Sequence, residues 1–319
     1  MSKKTDTKEK FKTSIGGQAV IEGVMMRGPE KGAMACRLPD GEIDLETWDV
    51  KGTKAWYKKV PFVRGILSFI SSLVLGYKCL MKSADKQMTE EDEVPETKLE
   101  KWLTEKLGNK IMPIVSGLAM VFGVVLAVVL FIWLPSWVVD KLNWYVVSMS
   151  KFARNVCEGL IKMAVFIGYT SLTRLMKDMA ITYEYHGAEH KTIACYESEE
   201  ELTVENVRKQ CRFHPRCGTS FIFLVLFISI FVTTIFNVSW KNLALRVIFK
   251  IALLPVVTGI AFELIRLAGK YDNPVTRVIS APGLWIQRIT TKEPNDKQIE
   301  CAITAIKECI PEEKGADMW

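Results

Sequence analysis

Residues 112–139 read MPIVSGLAMVFGVVLAVVLFIWLPSWVV, and no charge interrupts them before Asp140. About 20 apolar residues, rising 1.5 Å each, cross the hydrocarbon core of a bilayer. This run is longer, which predicts a tilted span. Trp133 and Trp137 stand near its end, where aromatic belts form. Outward from it, residues 219–239, TSFIFLVLFISIFVTTIFNVS, predict a second span. Residues 159–176 and 247–267 are weaker. They hold Lys162, Lys250 and Glu263, so they are expected to face a bundle interior or an interface. Residues 61–77, PFVRGILSFISSLVLGY, are short and broken by Arg64 and several serines. They predict an interfacial or re-entrant helix.

The rest of the chain carries the charge. Lys and Arg number 42 against 36 Asp and Glu, for a net +6, while 49% of residues are apolar. Charge crowds into 1–60, 78–110, 177–217 and 266–319. This segregation excludes a disordered chain, a collagen and a coiled coil. The expected fold class is a membrane α-helical protein. It has about four transmembrane helices, one interfacial or re-entrant helix and a small cytoplasmic β unit. With the N-terminus inside, 1–110, 177–218 and 266–319 lie in the cytoplasm. The external loops 140–158 and 237–246 then hold only Lys141, Lys151, Arg154, Lys241 and Arg246, in keeping with the positive-inside rule. A fifth span at 61–77 would expose many more cations outside.

The expected divisions are a basic tail (1–14), the β unit (15–60), an interfacial helix with a charged connector (61–110), the transmembrane bundle (111–268) and a C-terminal segment (269–319). In the β unit, Pro39-Asp40-Gly41 signals a hairpin. Thr203 predicts a short helix to Gln210, and Ile299, Ala302, Ile303 and Ile306 predict an amphipathic one. The opening MSKKTDTKEKFK is basic without an apolar core behind it, so it reads as a solvated tail rather than a signal peptide. Its lack of interleaved aromatics disfavours nucleic-acid binding. The eight cysteines follow no disulfide spacing. The expected partners are the lipid bilayer and further copies of the chain.

All three histidines fall within residues 186–214. His186 and His190 stand four apart in YEYHGAEHKT, which stacks both rings on one helical face. Glu189 shares that stripe, completing H-x-x-E-H, a pattern also found in inverzincin metalloproteases. Two neutral imidazoles can share a divalent ion, and a neighbouring carboxylate can take a proton from water. The third histidine lies in QCRFHPRCGTSF, with Cys211, His214 and Cys217 spaced C-x-x-H-x-x-C. Four ligands, His186, His190, His214 and Cys217, would make a closed structural site, while three with an open position would make a catalytic one. Zinc suits mixed N/S ligands, and iron or manganese suits His/Glu sets.

Other ionisable residues sit in apolar settings. Glu22 lies in VIEGV, with Arg27 five residues on. An unpaired buried carboxylate is costly, so an ordinary Glu22–Arg27 ion pair is the simplest expectation. Glu263 and Arg266 lie three apart; they are read as a helix-end salt bridge or, for Glu263, as a further ligand.

The motifs GGQAVIEGVMMRGP, EYHGAEHK, RFHPRCGTSF and FELIRLAGK together resemble the YqhQ-like family of bacterial membrane proteins. This is a domain of unknown function whose members are labelled predicted metal-dependent enzymes. The resemblance covers about residues 14 to 290. It implies a polytopic inner-membrane protein with a metal site, and names no substrate. Carried onto this sequence, it marks His186, Glu189, His190, His214 and Cys217, with Glu22, Arg27, Glu263 and Arg266; Cys211 has no place in the pattern. The expected function is a hydrolase-like enzyme with Glu189 as base. The alternative is a scaffold, channel or transporter subunit with a structural metal.

Overall fold

The computed structural model describes residues 11–50, 59–88, 111–146, 148–236, 243–271, 273–313 and 315–318. The first ten residues and most of the charged connector, 89–110, lie outside the described residues. Two compact units form: 1–87 with 169–225 and 255–319, and 88–168 with 226–254.

The first unit is organised by a four-stranded antiparallel meander, β1 (Gly16–Val20), β2 (Gly23–Arg27), β3 (Lys31–Arg37) and β4 (Ile43–Asp49). Poor polar alternation in GVMMR and KGAMACR has a simple cause: both sheet faces are buried. Val24, Met26, Ala33 and Ala35 point to a core shared with helices α5 (Lys177–Glu197) and α10 (Asp296–Cys309). Met25, Met34 and Cys36 point to the opposite face, where helix α1 (Val63–Gln87) supplies Cys79 and Leu75. The period of two places successive residues on opposite faces, so a strand covered twice reads as continuously apolar. The Pro39-Asp40-Gly41 turn joins β3 to β4, with Gly41 at φ 92°, a left-handed value glycine adopts without strain. Glu22, between β1 and β2, also has positive φ, 48°; its carboxylate accepts a hydrogen bond from the Tyr185 hydroxyl at 3.1 Å.

The short helix α6 (Val204–Lys209) starts where Thr203 accepts a hydrogen bond from the Asn206 N–H, the expected cap. Helix α10 buries Ile299, Ala302, Ile303 and Ile306, the stripe its spacing requires. Helix α9 (Pro274–Thr290) was not anticipated; it opens on an Asn273 capping box. Gly187 is where α5 crosses the chain leaving α9: a Cβ there would stand 2.0 Å from the Lys292 carbonyl oxygen. Alanine improves helix propensity by about 1 kcal/mol, but overpacking against backbone costs about 1–3 kcal/mol. Gly187→Ala should therefore lower stability on balance, read as a lower melting temperature in detergent.

Among the described residues, five helices are long and apolar enough to cross a membrane: Val63–Gln87, Gly117–Tyr145, Lys151–Thr173, Gly218–Ile235 and Ala244–Lys270. This is consistent with a multi-pass membrane protein. The long apolar run divides into α2 (Ile111–Val128), a π-helical turn at Val129–Trp133 and α3 (Leu134–Tyr145). Pro135 explains the turn. Its ring cannot sit against the carbonyl four residues back, and a π-turn makes room for it.

Within the second unit, α3, α4 (Lys151–Thr173) and parts of α7 (Gly218–Ile235) and α8 (Leu243–Lys270) enclose paired charges. Glu158 binds both Lys250 and Lys162, the latter at 3.2 Å, and Lys250 also donates to the Ser136 hydroxyl at 2.8 Å. Asp140 binds Arg154 and Arg246. Lys162 and Lys250 thus face protein, as intramembrane charges should.

Candidate metal centre

Helix α5 places His186, Glu189 and His190 on one stripe, and the chain before α7 brings Cys217 to them. One donor atom from each of His186, His190 and Cys217 lies within 4.8 Å of the others. The two rings meet edge to face, centroids 4.4 Å apart, and His186 Nε2 lies 3.1 Å from Cys217 Sγ.

Backbone carbonyls fix which nitrogens face inward. His186 Nδ1 lies 2.9 Å from the Thr290 carbonyl, and His190 Nδ1 lies 2.6 Å from that of Arg212. A carbonyl can only accept, so each Nδ1 carries a proton and each Nε2 turns inward, where it can ligate a metal once any proton it shares with Cys217 is lost. Metal-bound histidines are oriented in this way. Sequence inspection had no route to these carbonyls, since a backbone oxygen leaves no residue signature.

The Gly17 backbone N–H stands near the Glu189 carboxylate and favours its charged form. Gly17 is required here, because a Cβ would stand 3.1 Å from Glu189 Cδ and 2.5 Å from the Met25 carbonyl. Glu189 Oε2 and His190 Nε2 are buried and have no hydrogen-bond partner. Buried polar atoms are nearly always satisfied, so these two mark the place for a missing group. They border a cavity of about 270 Å³ also lined by Gly17, Arg27, His214, Arg216 and Cys217.

The charges respond to one another. Burial pushes the Cys217 thiol up, but His186 and His190 overcome it and hold the sulfur well below its ordinary range. Burial likewise opposes charging of His186, and the adjacent Cys217 thiolate outweighs it, holding the ring up at about 9. Burial raises the Glu189 carboxyl against the pull of the two imidazoles, moving it toward the range useful for a base. A thiolate is the form of cysteine that binds metal. Two inward-facing imidazole Nε2 atoms and a thiolate form a donor set that zinc accepts once the His186 proton is displaced. A simple Cys217–His186 nucleophile pair would leave His190 Nε2 unexplained.

His214 departs from the expected ligand set. Its ring centroid is 5.7 Å from that of His190, but its Nε2 faces Glu197 Oε2 at 3.6 Å and Arg216 at 3.3 Å. Its backbone is clamped by Gln287, which accepts from the His214 N–H and donates to its carbonyl. Burial holds the His214 imidazole low, while His214 and Arg216 overcome burial to hold Glu197 low. Glu197 was missed, although it follows His190 by seven and so continues the α5 stripe. Cys211 is exposed.

The outlying candidates separate. Among the described residues no ion pair joins Glu22 to Arg27; Glu22 is met by Tyr185, and Arg27 lines the cavity. Glu263 pairs with Arg64 of α1, with Nε to Oε1 at 2.8 Å and a 3.3 Å hydrogen bond from the Phe62 N–H. Those two donors occupy its carboxylate and leave it unsuited as a ligand. Arg266 is exposed on α8.

The family described as "Protein of unknown function (DUF1385)" matches residues 60–312. The chain is 36% identical over 318 residues to "Uncharacterized protein YqhQ" of Bacillus subtilis (strain 168), covering 95% of this chain and 94% of that one. No solved structure matches.

Proposed function

The chain belongs to the DUF1385 family, whose description assigns no activity, and from the site we propose that it is a metal-dependent hydrolase embedded in the cytoplasmic membrane. His186, His190 and Cys217 hold a divalent ion, zinc by donor chemistry, and Glu189 is the general base. The observation that carries this reading is the pair of orphaned buried atoms, His190 Nε2 and Glu189 Oε2, at one cavity. A structural site closes with four protein ligands; three donors beside a free carboxylate suit a catalytic one.

The ion, when bound, supplies a Lewis acid that polarises a substrate oxygen and acidifies water. The chain does the rest. Glu189 Oε2 takes the proton from the attacking water. Gly17, where a Cβ would stand 3.1 Å from Glu189 Cδ, lets β1 pack close against that carboxylate. The Thr290 and Arg212 carbonyls hold both Nδ1–H groups and so turn both Nε2 atoms toward the place an ion would take.

The topology proposed is four spans with α1 at the interface and both termini cytoplasmic. Parity supports it. The sheet, α5 and α10 share one core, so all three lie on one side of the bilayer. Two crossings, by α2–α3 and α4, separate the sheet from α5, and two more, by α7 and α8, separate α5 from α10. A crossing by α1 would put the sheet and α5 on opposite sides. Moreover, Leu75 onward packs on the sheet, leaving residues 63–74 to span about 18 Å of a core about 30 Å thick.

The test is Glu189→Gln. Metal-loaded wild type is assayed on amide, acyl-ester and phosphoester probes. The variant should lose about 10²–10⁴-fold in turnover while elemental analysis finds unchanged metal. Loss of metal instead would make Glu189 a ligand and defeat its assigned role.

A second reading, a non-enzymatic transporter or channel subunit, draws on the buried Lys162–Glu158–Lys250 cluster. Ion flux through proteoliposomes, unaltered by Glu189→Gln and abolished by Glu158→Gln, would favour it.

A further inference from the structure

The cavity at the donor trio does not end there. Arg27 and Leu75 line it, and both also line a second cavity of about 340 Å³. The outer cavity is walled by Trp48 of β4 and by Ser71, Val74, Leu75 and Lys78 of α1. Those α1 positions recur at intervals of three and four, one helical stripe, and continue into the exposed apolar surface of Ile70, Leu73 and Val74, each at least 50% exposed. The two cavities therefore form a cleft graded in chemistry. Its inner end holds Glu189 and Cys217, its middle holds Arg27, and its outer end holds Lys78 beside apolar side chains, with Asp49 the acidic residue there.

We propose that this cleft binds a phosphate-headed membrane lipid, its anionic head between Arg27 and Lys78 and its chains along the exposed apolar face of α1. Three features point to an amphiphile. Two cations converge across a gap lined by one carboxylate, which favours an anion. Charge-assisted contacts from a guanidinium suit phosphate oxygens. An apolar wall running onto a helix that lies at the membrane interface suits acyl chains and offers nothing to a free ion. This deepens the hydrolase reading and takes from it the interfacial placement of α1 and the assignment of the inner end as the reacting end.

The test uses the full chain in dodecyl maltoside, titrated calorimetrically with dihexanoyl phosphatidic acid, dihexanoyl phosphatidylcholine or inorganic phosphate. Phosphatidic acid should bind about tenfold or more tightly than either of the others. Arg27→Gln and Lys78→Gln should each weaken it, and the pair together by about tenfold or more, with metal content and melting temperature as in wild type. Lys78 is exposed, so Lys78→Gln reads recognition even if Arg27→Gln misfolds. Equal binding of both lipids would mean nonspecific uptake of amphiphiles, and equal binding of inorganic phosphate would mean a free-anion site; either overturns the proposal, as does indifference to both substitutions. Wild type that takes up no metal at all yet still prefers phosphatidic acid would sink the hydrolase reading and support this one. Metal-replete protein that ignores the head group would sink this one alone.

Discussion

His190→Ala protein, purified beside wild type, is expected to carry less than about a tenth of the wild-type metal. Changing partners outside the ligand shell typically costs 10–100-fold in affinity, and removing a ligand costs at least as much. His190 Nε2 is buried with no hydrogen-bond partner among the described residues, so the loss is read at that nitrogen. His214→Ala should behave differently. Its imidazole is engaged by Glu197 and Arg216, so most of the metal should remain while stability falls. Elemental analysis of both variants separates the trio from a four-ligand site: equal metal loss from the two would restore His214 as a ligand. Retention of metal by His190→Ala would remove the site altogether.

Glu158→Gln is expected to destabilise the protein by about 3–5 kcal/mol, the usual cost of stripping one partner from a buried ion pair. Lys162 and Lys250 both lean on Glu158, and their side chains are only 9% and 6% exposed. Amide cannot neutralise either. Replacing all three residues with apolar side chains of similar size, Glu158→Leu with Lys162→Met and Lys250→Met, should recover most of the loss, because apolar packing often matches a buried ion pair. Thermal unfolding in detergent measures both variants. Recovered stability with hydrolysis intact would make the cluster purely architectural. Recovered stability with flux abolished would instead give the cluster a transport role.

How much of this was legible in the sequence follows from the physics of each signal. Helical periodicity is local, so the pairing of His186 with His190 and the stripe of α10 could be read directly. The span at 112–139 was legible because hydropathy there is unbroken, although the π-turn ahead of Pro135 was not. The sheet was half hidden: alternation signals a strand only when one face is wet, and here α1 covers one face while α5 and α10 cover the other. His214 misled because a spacing such as C-x-x-H-x-x-C says nothing of competitors. Glu197 and Arg216 occupy that imidazole from a neighbouring helix turn and from two residues along. Glu263 misled similarly, its partner Arg64 lying 199 residues away.

The packing of α10 against β2 and β3 has a consequence for how the molecule is made. The meander leaves the ribosome well before α10, which shares the covering of one of its faces with α5. Until α10 emerges, α5 alone covers this face, and the part that α10 will cover stays open to chaperones and proteases. Shortening the chain ahead of Asp296 should therefore cost cellular abundance before it costs membrane insertion, because quality control would meet a sheet that never receives its lid.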